Sequence, residues 1–413
     1  MKRQRNPGKC SFCSRIPFHS IRATLAATDA KIAAGWNWRS RFHITRRIIM
    51  GRKSREKWNR ALTRNRMVVQ PQNQTPAQVS SLYDAMQDGN EYQSIVDKLP
   101  VAGTNLMDEV ARGISEIEQV RGRPCILYVG NVVKKDDTGS SGVDTSDDLP
   151  FREMVEKVPS DQKSVDVLLA TMGGSAQQVN NFVNCLRAKF DEVNFLIPSF
   201  CMSAGTLFVL SGDHIWMTDR ACLGPIDPQV PTAGGRFVPA QALLSLLAEI
   251  QRAGDDAMSK GQPVPWAFVR VIDSLDKKEL GEALTASQYS QTMAAQFLQR
   301  YKFRNWKVRE SSQVPVTDQD RATRANEIAD ALGSHDRWKS HGHALSRDVL
   351  VNELRLKIDE PDAALERAMV RLWAVLTYIF DKTPMVKILC SSHYRYVRHV
   401  QVQVVGPIQG QQT

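Results

Sequence analysis

Between residues 124 and 217 the chain repeats one pattern. A short apolar run is closed by small or turn-forming residues, and a stretch with apolar positions three and four apart follows it. Pro124-Cys-Ile-Leu-Tyr-Val129 is apolar throughout and stops at Gly130, which predicts a strand buried on both faces. Val165–Thr171 predicts a second strand, closed by Met172-Gly173-Gly174; Val193–Ile197 predicts a third and His214–Met217 a fourth. Between them, Pro150–Val158 reads as a helix, and Ala176, Val179, Phe182, Val183 and Leu186 mark one face of another. Ser199–Ser203 reads as a turn that opens a helix over Ala204–Ser211. Strands alternating with helices imply parallel βαβ units and a layered α/β domain.

On either side the pattern changes. Leu106, Val110, Ile114 and Ile117 share a helical face within residues 79–120, and Thr138–Asp148 is a Gly-, Ser- and Asp-rich loop. Pro239–Ala253 predicts an amphipathic helix, residues 266–300 are mainly helical, and residues 319–380 form a further helical group broken at Gly333 and Gly342. Pro361 opens a helix with a strongly apolar face. Within that group Ala325–Leu356 reads as helix–turn–helix, with Ser346 as an N-cap. It carries no basic recognition face, so docking or oligomerisation is the expected use. The expected organisation is a basic leader over 1–66, then a Gln/Pro/Asn-rich linker with a helical lead-in over 67–120. A catalytic core over 121–300 and a helical C-terminal docking or oligomerisation region over 301–413 complete it.

Composition changes this picture in one respect. Apolar residues at 42% and charged residues at 24% are ordinary for a globular chain, but the net charge of +10 is unevenly placed. Residues 1–66 hold eighteen Lys and Arg against only Asp29 and Glu56, which leaves the remaining chain at −6. Such a leader is expected to be a solvated tail that offers at most a weak polyanion contact, and its acid-poor composition also suits a targeting segment. Met369–Phe380, interrupted by Arg371, is too short for a bilayer span, so no integral membrane segment is expected. Seven cysteines without repeating spacing suit a reducing, cytoplasmic compartment; Cys10-Ser-Phe-Cys13 lacks the second pair that a zinc site would need.

Acyl transfer needs a nucleophile, a proton acceptor and two N–H donors aimed at the developing oxyanion. Gly173-Gly174 ends a strand ahead of a helix, where backbone can approach a substrate closely. Ser203, in Cys201-Met-Ser-Ala-Gly-Thr206, follows a strand and turn, and the N–H of Ala204 falls in the helix's unpaired first turn. Each feature alone has a plain structural use, as an N-cap or a turn. Their order and spacing together suggest Ser203 as nucleophile, with Gly174 and Ala204 flanking the oxyanion.

Leu168-Leu-Ala-Thr-Met-Gly-Gly-Ser175, Ser203-Ala-Gly-Thr206, Gly212-Asp213 and Leu223-Gly-Pro-Ile-Asp-Pro-Gln229 resemble the serine dehydrogenase proteinase family. That family belongs to the Clp/crotonase superfamily, near signal peptide peptidase A. The resemblance covers about residues 120–260 and, less closely, Trp338-Lys-Ser-His-Gly-His343. It implies a Clp/crotonase-type layered βαβ core and a serine peptidase with Ser203 as nucleophile. The N–H groups of Gly174 and Ala204 would form the oxyanion hole. Clp-type relatives place a His about 25 residues after the Ser, where this chain has Asp227-Pro-Gln; signal-peptide-peptidase-type relatives place a Lys further on. Lys260 is therefore the expected general base and Asp227 an orienting or turn-shaping residue, with His214, His341 and His343 expected to be structural.

The expected function is hydrolysis of peptide or protein substrates by a homo-oligomer, through an acyl-enzyme on Ser203 and without metal or organic cofactor. No Gly-x-Gly-x-x-Gly follows a strand, so nucleotide binding is unsupported. Two other readings use the same residues. One is crotonase-like acyl-CoA chemistry, which needs the paired N–H groups but not the serine; the other is a catalytically degenerate scaffold or binding protein.

Overall fold

Four parallel strands carry the site. They are β1 (Cys125–Gly130), β2 (Ser164–Ala170), β3 (Glu192–Ile197) and β5 (His214–Met217), which follows the two-residue β4 (Phe200–Cys201). The computed structural model of the protein describes residues 82–86, 105–134, 141–232, 237–309 and 312–400. The leader, its linker and Cys10-Ser-Phe-Cys13 lie outside the described residues. β1 and β2 are buried on both faces because helices cover the sheet on both sides, which is why their sequences run apolar without alternation. Ile126, Tyr128, Val167, Leu169 and Phe195 face one layer; Leu127, Val129, Leu168, Ala170 and Leu196 face the other.

α1 (Leu106–Arg121) precedes β1, and α2 (Asp148–Lys157), α3 (Ala176–Lys189) and α4 (Ala204–Val209) are the crossovers of the parallel units. After β5 come β6 (Cys222–Leu223) and a small hairpin of β7 (Gln229–Pro231) and β8 (Phe237–Pro239). Three helices follow, α5 (Ala240–Ser259), α6 (Trp266–Ser274) and α7 (Lys277–Phe297), and a π-turn over Leu298–Lys302 ends the last. α8 (Asp318–Gly333) and α9 (His335–Trp338) lead to β9 (Leu345–Ser346), which completes a second sheet in the order β4-β6-β9. Ser346 ends β9, and its Oγ accepts the N–H of Val349 at 3.4 Å, where a π-turn over Val349–Glu353 begins.

α10 (Ala363–Lys382) packs beside α1. The chain then returns to the main sheet as β10 (Met385–Ser391) and β11 (Tyr394–His399), a hairpin that helical periodicity did not mark. The sheet order is β11-β10-β1-β2-β3-β5, with β10 antiparallel to β1. Ala325, Ile328, Leu332, Trp338, Leu345 and Leu350 lie in the same apolar cluster as the β1–β3 layer, so residue 301 divides the sequence but not the core. The described residues all fall in one compact unit.

Where the hairpin meets β1, the fully buried Lys387 reaches Asp147 Oδ2 at 2.6 Å, and the hydroxyl of Tyr128 donates to the same oxygen at 2.7 Å. Burial lowers the Lys387 pKa against the pull of Asp147, and raises that of Tyr128. A second buried lysine, Lys302, donates to the Asp213 carbonyl at 3.3 Å and lies 3.9 Å from Asp359 Oδ2. His214, on β5, contacts the same Asp359 oxygen through Nδ1 at 3.1 Å, a use confined to the fold.

Candidate active site

The two motifs the sequence singles out lie side by side. Thr171 N–H donates to the Phe200 carbonyl at 3.0 Å and Met202 N–H to the Thr171 carbonyl at 2.9 Å, so the end of β2 is stitched to β4 and the turn beyond it. Gly173 has φ of +114°, and a Cβ there would sit 2.8 Å from Ser203 Cβ. Only glycine lets the two turns come this close. Gly174, at φ of +135°, is pressed against Val143; a Cβ would approach the Val143 carbonyl oxygen to 2.3 Å. Val143 N–H donates to the Gly173 carbonyl at 2.7 Å, and Ser175 N–H to the Val143 carbonyl at 2.8 Å. The loop before α2 thus clamps the glycine pair.

Ser203 stands between the strand-like turn and α4 with φ of +51° and ψ of −118°. A non-glycine residue in that region costs about 1–3 kcal/mol and persists where its surroundings fix it. Here Gly205 N–H donates to the Met202 carbonyl at 2.8 Å, and Gly205 lies where a Cβ would meet Thr171 Cγ2 at 2.6 Å. Thr206 Oγ1 accepts the N–H of Gly224 at 3.0 Å and holds the Leu223-Gly-Pro segment against α4. Ala204 is the first residue of α4, so its N–H has no partner within the helix. Cys201, two positions earlier, is no competing nucleophile. Burial pushes its thiol well above the ordinary range, away from the reactive thiolate.

Ser203, Gly174 and Ala204 all line one cavity of about 930 Å³. Met172, Leu207, Ile226, Pro228 and Phe237 give it apolar walls, α7 contributes Lys278, Glu282 and Tyr289, and His341 projects in from the loop after α9. His341 Nδ1 lies 2.9 Å from Asp227 Oδ1, and His335 Nδ1 lies 3.3 Å from Asp227 Oδ2. Asp227 itself is 1% exposed. The structure therefore brings Ser203, Gly174, Ala204 and Asp227 to one place together with His341, a residue sequence reasoning set aside as structural. The signal that existed was Trp338-Lys-Ser-His-Gly-His343 within the family resemblance. What hid it was the separation of 114 positions between His341 and Asp227. His343 stacks on Trp338 with ring centroids 5.4 Å apart.

Lys260, the expected base, lies away from the cavity that Ser203 lines. It follows the last turn of α5, its side chain is 57% exposed, and Nζ pairs with Asp256 Oδ2 at 2.7 Å. It does not line the cavity, and the burial that would make a lysine a base is absent there. Lys278 does border the cavity, but its side chain is 83% exposed and lies 3.7 Å from Glu282. Among the described residues, no group of three or more His, Cys, Asp or Glu side chains could hold a metal ion. No helix among them is long and apolar enough to cross a membrane.

Comparison with known proteins agrees with the motifs. Two uncharacterised proteins of Methanocaldococcus jannaschii are similar to this chain. One is 36% identical over 76 residues, 18% of this chain and 26% of the relative; the other is 24% identical over 150 residues, 36% and 48%. The chain thus spans about a quarter and about half of the length of these relatives. Among solved structures, the 1510-N membrane-bound stomatin-specific protease in complex with a substrate peptide has a TM-score of 0.32 at 13% identity, covering 53% of this chain and 71% of its own. An enoyl-CoA hydratase/isomerase family member has a TM-score of 0.19 at 15% identity, covering 43% of this chain and 81% of its own. The family model described as ClpP-like SDH-type serine proteinase matches residues 143–258, from the Val143 clamp through Ser203 into the last turn of α5. Residues 143–258 of this chain are thus similar to the ClpP-like SDH-type serine proteinase family.

Proposed function

We propose that the protein is a serine peptidase that forms an acyl-enzyme on Ser203, with His341 as general base and Asp227 as its orienting carboxylate. One observation carries this reading. His341 shares a cavity with Ser203 while its Nδ1 is held by the buried Asp227, which leaves Nε2 as the nitrogen free to face the serine.

In the proposed reaction, Ser203 Oγ attacks the substrate carbonyl as its proton passes to His341 Nε2. Asp227 steadies the imidazolium through the Nδ1–H. The carbonyl oxygen takes up the negative charge between the N–H groups of Gly174 and Ala204. The imidazolium then returns its proton to the amine leaving group as the C–N bond breaks, and water repeats the sequence on the ester. The substrate is a peptide or protein chain, for which the apolar walls at Met172, Leu207, Ile226 and Phe237 supply side-chain contacts. We assign a homo-oligomer as the working form, since α6 has no buried residue although Trp266, Val269 and Ile272 are apolar and exposed. An acyl-CoA enzyme would not need a serine and a carboxylate-held histidine in one cavity, and a degenerate scaffold would not need the strained Ser203 backbone.

The test is labelling of the full chain by a fluorophosphonate probe, together with peptide hydrolysis. Ser203→Ala, His341→Ala and Asp227→Asn should each lower both by at least about 10²-fold, while Lys260→Met stays within about twofold of the parent. Full labelling of His341→Ala, with Lys260→Met or Lys278→Met inert, would overturn the assignment of the base. Hydrolysis by Ser203→Ala would overturn the peptidase reading itself.

A further inference from the structure

The proposed site leaves a second imidazole to explain. His335 opens α9, lies outside the cavity wall and reaches the same buried carboxylate as His341, by the opposite oxygen. We infer that His335 is a positioning residue for the acyl transfer: its Nδ1–H holds Asp227 Oδ2 so that Oδ1 stays directed at His341. The inference rests on the Ser203–His341–Asp227 reading and adds to it a member that touches neither substrate nor serine.

A carboxylate turns readily about its last side-chain bond, because that torsion has a broad, two-fold profile. At 1% exposure Asp227 has little water to occupy the oxygen that His341 leaves. A buried acceptor without a donor is costly, so an imidazole on Oδ2 both satisfies it and removes the rotational freedom. The local chain is built to bring two histidines to one point. Ile226 N–H donates to the Leu332 carbonyl at 3.0 Å, tying the Asp227 segment to the end of α8. Ser334 Oγ caps α9 by accepting the Arg337 N–H, and Trp338 Nε1–H donates to the Ala331 carbonyl at 2.7 Å. Lys339 then takes φ of +60° while its N–H closes on the His335 carbonyl at 2.7 Å, and the chain doubles back to present His341. With Oδ1 fixed, the N–H of His341 must sit on Nδ1, and the Nε2 lone pair is held toward the cavity.

The experiment compares steady-state kinetics and fluorophosphonate labelling in His335→Leu, His335→Asn, His341→Ala and the double variant His335→Leu/His341→Ala. His335→Leu fills similar space without a donor; kcat and labelling rate should fall about tenfold with KM within about twofold. His335→Asn places an amide nitrogen near the position of Nδ1 and should restore the rate to within about twofold. In the His341→Ala background His335→Leu should cause no further loss, because its effect passes through His341. If His335→Leu fails to fold, His335→Gln carries the test. Its amide nitrogen lies one bond further out, so it should be impaired where His335→Asn is not, and equal rates for the two overturn the inference. Parental rates in His335→Leu, with His341→Ala inactive, overturn the inference and leave the triad standing. The same holds if His335→Leu costs an equal factor in both backgrounds. Parental rates in His341→Ala remove the triad, and the inference with it.

Discussion

Gly174→Ala separates the backbone's structural role from its chemical one. The added methyl carbon would lie 2.3 Å from the carbonyl oxygen and 2.5 Å from the nitrogen of Val143, both backbone atoms that cannot rotate away. Relief requires Val143 to move off, and the two hydrogen bonds it makes to Gly173 and Ser175, at 2.7 and 2.8 Å, are then lost. At about 1 kcal/mol each they contribute about 2 kcal/mol. Alanine at φ of +135° adds about 1–3 kcal/mol of backbone strain, so a loss of about 3–5 kcal/mol is expected. Gly122→Ala is the control. Its φ is +64°, nothing lies within 4 Å of the added carbon, and it is remote from the cavity, so it should cost about 1 kcal/mol with no change in rate. Urea unfolding gives the two stabilities. Fluorophosphonate labelling of the still-folded fraction gives the chemistry, which should fall about 10²–10³-fold in Gly174→Ala if an oxyanion donor has been displaced. Equal stability losses for the two variants would refute the packing argument. An undiminished labelling rate in Gly174→Ala would refute the placing of its N–H at the oxyanion.

Three further outcomes follow from burial and charge. Burial lowers the Lys302 pKa from 10.5 to about 8. Below pH 8 the folded and unfolded chains both hold the proton; between about 8 and 10.5 only the unfolded chain does, so stability should rise with pH across that window by on the order of 3 kcal/mol. Lys302→Met should lack this rise when denaturation is compared at pH 7.5 and 10, and an identical pH slope in both proteins would contradict the argument. Lys387→Met removes the lysine from Asp147 but leaves it Tyr128 and Arg398, and should lower stability by about 1–3 kcal/mol in the same assay; an unchanged stability would contradict the pairing. Removing residues 1–66 takes the formal charge from +10 to −6, so retention on immobilised heparin should vanish while peptide hydrolysis is kept; loss of folding would place the domain boundary elsewhere.

The parallel strands were legible because burial on both faces writes itself as an unbroken apolar run. His214–Met217 matches β5 in both bounds, and Val193–Ile197 misses β3 only by Glu192. The meeting of Ser203 and Gly174 in one cavity was legible because each sits in a turn that is complete within a few residues. The contact of His341 with Asp227 was not, since it spans 114 positions and no periodicity records such a contact. Lys260 was chosen by spacing along the sequence, which says nothing about whether a helix end faces a cavity or water. The β10–β11 hairpin was missed for a related reason. Lys387 interrupts its apolar run, and only the fold reveals that this charge is buried against Asp147.

That hairpin also sets an order of events on the ribosome. β1 emerges early, yet one of its two neighbours in the sheet is β10, which pairs Leu127 with Cys390 and Gly130 with Lys387. Until residues beyond 385 have been synthesised, β1 presents an open edge of unpaired N–H and C=O groups, the kind of edge that recruits stray strands. The nascent chain at that stage has already extruded Ser203 and its glycine turn, but it pairs this edge of β1 only after His341 has appeared. A translation product that stops short of β10 is therefore both sticky and structurally unfinished, and it is the species that chaperones and quality-control proteases would meet first.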